Sequence, residues 1–199
     1  RRLKSSLNRG IINTMNRSQT FSCRMPMLVA GVLLAACAAT TQVTVTPPDQ
    51  APVCAPASNG PVAVFWRTQW RADQKDVPER EAAAKQGIQR FFAGGGCFAT
   101  VTVARTMDNG PAFDVPAGAD RLLVLTVREL GPVVKLLSSA ALVDGGEVVL
   151  DIAEYRPGQR APQRQFSIRW ANGGPGVVKG VQTLPDDLVA ALKAALAGP

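Results

Sequence analysis

Apolar positions change period several times along the chain, and each change marks an element. Val62–Thr68 (VAVFWRT) is a run of β-branched and aromatic residues, which predicts a strand. A helix follows from about 78 to 93. Asp76 stands at its start, with Pro78 in the first turn and Glu79 three residues after Asp76, a capping-box arrangement. Ala84, Ile88 and Phe91 fall on one helical face with Phe92 beside them, while Glu81, Lys85 and Gln89 lie away from it. Gly94-Gly95-Gly96 ends the helix. Phe98–Arg105 alternates with period two, a strand with one wet face. Asp108–Ala119 is a loop by its Gly, Pro, Asn and Asp content.

Arg121–Leu130 (RLLVLTVREL) is the most strand-like segment and predicts a central strand. Val133–Asp144 and Glu147–Tyr155 flank Gly145-Gly146, which reads as a hairpin with an Asp-Gly-Gly turn. Gln163–Ala171 is a further strand, and Asn172–Gly176 reads as a flexible stretch. A closing helix runs from about 185 to 197. Thr183 is its expected cap, Asp186 and Asp187 complement its dipole, and Leu188, Ala191, Leu192, Ala195 and Leu196 form its apolar stripe. In outline the order is β-α-β-β-β-β-α. Sequential strands and two amphipathic helices predict an α+β two-layer sandwich with a mostly antiparallel sheet.

Upstream of residue 62 the pattern is different. Met27–Ala39 is apolar throughout, and its 13 residues are too few for a bilayer span. Arg17 and Arg24 precede it, as in the positive flank of an export signal. Met15 is the expected start, and residues 1–14 are expected to be upstream sequence. Residues 38–61 are rich in Pro, Thr and Ala with no aromatic residue. That composition predicts an extended tether, and it suits a disordered leader equally well. Residues 62–199 then form a single domain.

The formal charge of +7 invites a nucleic-acid reading. Residues 1–36 hold Arg1, Arg2, Lys4, Arg9, Arg17 and Arg24 and no acid, so the rest of the chain is nearly neutral. No nucleic-acid partner is therefore expected.

Leu34-Ala35-Ala36-Cys37, at the end of the apolar run, resembles the bacterial lipobox. The resemblance implies diacylglycerol transfer to the Cys37 thiol, cleavage before Cys37 and acylation of the new amino terminus, so that a membrane is the first partner. Ala38 lacks the Asp that resembles an inner-membrane retention signal, which points to the periplasmic face of the outer membrane. Ala36-Cys37-Ala38 also fits a small-residue cleavage site, which would release a soluble secreted protein. The strand RLLVLTVREL and the following AALVDGGEVVLDIAEY resemble small envelope lipoprotein domains, the type found in LpoB, in CsgG and at the amino terminus of TolB. No functional residue is carried over from that resemblance to this chain.

With Cys23 in the signal and Cys37 lipidated, Cys54 and Cys97 remain as a pair in an oxidising compartment. A Cys54–Cys97 disulfide enclosing 42 residues is the expectation, against a buried Cys97 and a free Cys54.

The chain has no histidine, which removes His-based nucleophile activation and His metal sites. Gly94-Gly95-Gly96 lacks the Lys-Ser/Thr of a phosphate loop. Asp144, Glu147, Asp151 and Glu154 crowd the expected hairpin without a cation-loop spacing. Ser138, Ser139 and Ser167 stand in no nucleophile motif. No enzyme, cofactor or metal is expected. Trp66 and Trp70, four apart beside Arg67 and Arg71, read as core or as a partner-contact patch. Arg156, Arg160 and Arg164 read as a small basic tip, either solvated or in contact with an anionic glycan or lipopolysaccharide. The expected role is an adaptor or assembly factor that binds an envelope protein. The rival roles are a transporter's auxiliary lipoprotein holding lipid in a cleft, and a pore-forming component.

Overall fold

The computed structural model describes residues 39–54, 60–94, 97–98, 100–107, 110, 113–136, 142–175, 177 and 179–197. Cys37, Ser138 and Ser139 lie outside them.

Among the described residues six strands form one sheet: β1 (Thr40–Thr46), β2 (Val62–Thr68), β3 (Val101–Arg105), β4 (Arg121–Leu136), β5 (Leu142–Tyr155) and β6 (Arg164–Pro175). Two helices join them, α1 (Val77–Ala93) between β2 and β3 and α2 (Leu184–Leu196) after β6. Across the sheet the order is β1-β6-β5-β4-β2-β3. β2 runs parallel to both its neighbours, β3 and β4, because α1 returns the chain to the starting end. Every other pairing is antiparallel. The α+β sandwich is as expected: both helices cover one sheet face. Leu123, Leu125, Leu150, Ile168, Ile88, Leu188 and Leu192 are fully buried in that layer. Ala63, Phe113, Leu122, Val124 and Tyr155 form a smaller apolar cluster on the opposite face.

Several local expectations are corrected. The segment read as a tether begins with a strand: Thr40–Thr46 pairs antiparallel with Thr46↔Ser167 through Thr40↔Gly173 on β6. Its composition concealed it, since the alternation Thr41-Val43-Val45 is short and surrounded by polar residues. Farther on, Val53 is buried and the Cys54 amide donates to the Leu196 carbonyl at 2.8 Å, so this segment straps across the end of α2.

Asp144-Gly145-Gly146 is not a turn. It lies inside β5, and the hairpin closes beyond the Leu136↔Leu142 pair. The glycines answer crowding: a Cβ on Gly145 would stand 2.9 Å from the Asn172 carbonyl oxygen, and one on Gly146 would run into Asp187. Arg121–Leu130 and Val133–Leu136 are one continuous strand, with a bulge between Val127 and Glu129. The extra residue, Arg128, lets Val127 and Leu130 face the helices although they are three apart. Residues 172–175, expected to be flexible, complete β6.

Neither helix is capped as expected. Asp76 has φ 56° and makes no side-chain cap bond. A capping side chain reaches the first-turn amides from extended backbone, which Asp76 lacks. The Thr183 hydroxyl donates instead to the Gly180 carbonyl at 2.9 Å, within a short 3-10 turn at Val181–Thr183.

Candidate functional site

At one end of the sheet, where β5 runs into β6, arginines gather on one carboxylate. Glu154 is 4% exposed. Its Oε2 receives Arg164 Nη2 at 2.6 Å, and its Oε1 lies 3.3 Å from Arg121 Nη1 and 3.5 Å from Arg156 Nη2. Arg121, equally buried, also lies over the Phe98 ring with 5.0 Å to the centroid. Arg164 Nη1 donates to the Ala51 carbonyl at 2.7 Å, tying the strap to the sheet. Arg156 Nε donates to Gln163 Oε1 at 2.8 Å, across the loop that carries the exposed Arg160. Pro52 and Val53 complete an open hollow of about 330 Å³ over this group.

The three arginines expected as a basic tip therefore differ. Arg156 and Arg164 are held by Glu154, and Arg160 is exposed. Three guanidinium groups converge on one carboxylate, so the hollow keeps an excess of positive charge suited to an anionic group. Sequence reasoning missed Arg121, and it named Glu154 only as one of four acids around an expected hairpin, not as the partner of arginines. The available signal was an arginine opening the most apolar strand, a position that demands a partner when buried.

The tryptophans part company because β2 ends at Thr68. Trp66 is 3% exposed in the main core, with the Arg105 guanidinium 5.2 Å over its ring. Trp70, beyond the strand, packs half-buried against the same core. Among the described residues its buried Nε1 meets no acceptor at ordinary hydrogen-bond geometry, and the Glu81 carboxylate is the acid near enough for it to favour. Arg67 Nε donates to Thr126 Oγ1 at 3.0 Å, and Arg71 stands 3.5 Å from Glu129.

A groove between α1 and β3 is lined by Trp66, Glu81, Lys85, Val103 and Arg105. Burial works to raise the Glu81 pKa. Hydrogen bonds from Arg105 and Thr68, the Arg105 charge and the nearby Trp70 indole together outweigh it, and the carboxyl stays below its ordinary value.

The helix-free face carries a polar row: Arg67, Thr126, Asp151 and Ser167 lie in register across β2, β4, β5 and β6. Ser167 Oγ donates to Asp151 Oδ1 at 2.5 Å, and Arg128 stands 3.5 Å from the other oxygen. Phe113 and Tyr155 meet edge-on at 5.7 Å beside a cavity of about 150 Å³. Burial raises the Tyr155 pKa, and the Arg67 charge offsets part of the rise. The four acids expected near a hairpin are spread along β5. Glu147 pairs with Arg169 at 2.6 Å, Asp151 and Glu154 take the partners above, and the side chain of Asp144 is outside the described residues. Among the described residues no three potential metal ligands gather.

Cys54 and Cys97 form the expected disulfide, with Cα atoms 4.8 Å apart. No described helix is long and apolar enough to cross a membrane.

No family model matches the chain, and no curated protein matches it. Solved structures do. A PelC dodecamer from Paraburkholderia phytofirmans is 17% identical, with 79% of this chain and 97% of that one covered at a TM-score of 0.41. A Xanthomonas campestris protein of the DUF330 family is 14% identical, with coverages of 79% and 87% and a TM-score of 0.39. A minor lipoprotein from Acinetobacter baumannii is 12% identical, with coverages of 68% and 92% and a TM-score of 0.35.

Proposed function

We propose that this protein is a non-enzymatic lipoprotein of a bacterial envelope, anchored through Cys37 on the periplasmic face of the outer membrane. In this reading its domain is an adaptor or assembly factor, and it binds an envelope protein through the arginine-rich end of the sheet. The anchor is supported by Leu34-Ala35-Ala36-Cys37 after a short apolar run with a positive flank. The observation that carries the binding role is the convergence of Arg121, Arg156 and Arg164 on Glu154 beside the exposed Arg160. Arginine clusters in partly buried hollows recognise carboxylates and other planar anions through paired hydrogen bonds. An acidic protein segment suits this hollow. The layer between helices and sheet is filled by fully buried leucines and isoleucines, which favours an adaptor over a carrier with lipid in that layer.

The test is a photo-crosslinking amino acid at Arg160 in cells, with a second at Glu79 on α1 as control. Capture of one discrete envelope protein at Arg160 alone, lost in Arg156→Glu, is the expected result. Equal capture at both positions overturns the assignment of the binding end. The anchor is tested separately: Cys37→Ser should abolish acyl labelling and move the protein to the soluble fraction.

A further inference from the structure

We infer that the Cys54–Cys97 disulfide governs the arginine-rich hollow: oxidised, it holds the hollow in binding shape, and reduction by a dithiol releases one wall and weakens the grip on an anion. This rests on that hollow being the binding end, as proposed above, and adds its regulation.

The two half-cystines stand beside the groups that hold two of the three arginines. Ala51 lies three residues before Cys54, and its carbonyl accepts from Arg164 Nη1 at 2.7 Å. Pro52 and Val53, between Ala51 and Cys54, form a wall of the hollow. Cys97 directly precedes Phe98, whose buried ring lies 5.0 Å from the Arg121 guanidinium. One covalent bond therefore ties the strap that fixes Arg164 to the segment that supports Arg121.

The strap is otherwise lightly held. The β1–β6 ladder ends at Thr46↔Ser167. Past it, residues 51–54 are fastened by the Arg164 bond, the buried Val53 and the Cys54 amide, which donates to the Leu196 carbonyl at 2.8 Å. Hydrogen bonds of this kind are weak against the entropy of ordering a chain, whereas a covalent tie is not. Release of the strap takes the Ala51 acceptor from Arg164 Nη1 and leaves Nη2 on Glu154. The guanidinium then has to be ordered again when an anion binds, and the anion is held less tightly.

Both cysteines are half-buried and not enclosed, so a small dithiol can reach them. Its thiolate attacks one sulfur and forms a mixed disulfide, which its second thiol then resolves. Cys54 and Cys97 are left as two thiols, having taken up two electrons and two protons, and the dithiol becomes a disulfide.

The test uses full-length protein and a fluorescein-labelled hexaglutamate peptide as the anion, with binding read by fluorescence anisotropy before and after dithiothreitol. Hydrogen exchange is followed in parallel on peptides covering residues 48–54 and 121–127. The expected result is that the oxidised protein binds, that Arg156→Glu abolishes this binding, and that reduction weakens it by at least about fivefold. Exchange should quicken in residues 48–54 on reduction and stay slow in 121–127. The Cys54→Ser, Cys97→Ser double variant should bind as the reduced protein does and ignore dithiothreitol. Equal affinities in the two redox states overturn the inference and leave the hollow as the binding end. Lost protection in residues 121–127 on reduction also overturns it, since the bond would then hold the whole domain and not the strap. No binding in either state, or binding indifferent to Arg156→Glu, overturns the binding end and this inference together.

Discussion

Glu154 illustrates how one side chain can organise an end of the molecule. Arg121 and Glu154 are each only 5% exposed by side chain, whereas the Arg156 side chain is 42% exposed. Removing one member of a buried ion pair leaves an unpaired charge out of water, at a cost of about 3–5 kcal/mol, while an exposed pair contributes about 0–1 kcal/mol. Glu154→Ala should therefore lower unfolding stability by roughly 3 kcal/mol in urea titrations, and Arg156→Ala by less than about 1 kcal/mol. Equal losses would refute the buried-pair account. Arg160 and its neighbours were legible as a basic cluster because they lie close in sequence. Arg121 was not, because 33 residues separate it from Glu154 and only the β4–β5 pairing brings them together.

At the scale of elements, close approach decides several residues that local rules would read otherwise. Gly87 lies in the middle of α1, where glycine disfavours a helix. A Cβ there would stand 2.9 Å from the Pro185 carbonyl oxygen and 3.0 Å from Leu188, both at the start of α2. Gly87→Ala gains about 1 kcal/mol of helix propensity, but overpacking against a backbone oxygen costs about 1–3 kcal/mol. The expected outcome is a net loss of stability, read as a lower thermal midpoint by circular dichroism. A rise would mean that the two helices separate easily. The same logic explains Gly145 and Gly146, which resemble turn residues in sequence and serve as thin places in β5. Period and composition located both helices and most strands. They missed β1, whose stability as an edge strand comes from β6, and they missed the continuity of β4 through its bulge.

For the whole molecule, the Cys54–Cys97 bond closes a loop with a sequence separation of 43 and fastens the strap between β1 and β2 to the region after α1. Loops of this size contribute roughly 3–4 kcal/mol through restriction of the unfolded chain. Oxidised protein should unfold at a clearly higher denaturant concentration than the Cys54→Ser, Cys97→Ser double variant, and coincident curves would contradict this. The helical stripes, the α+β class and the cysteine pairing were determined by sequence alone, because each depends on residue type at short or countable spacing. Which strand covers the outer edge of β6, which arginines share Glu154, and why glycines interrupt β5 were decided only by tertiary structure. These are relations between strands far apart in the chain, fixed by register and close packing.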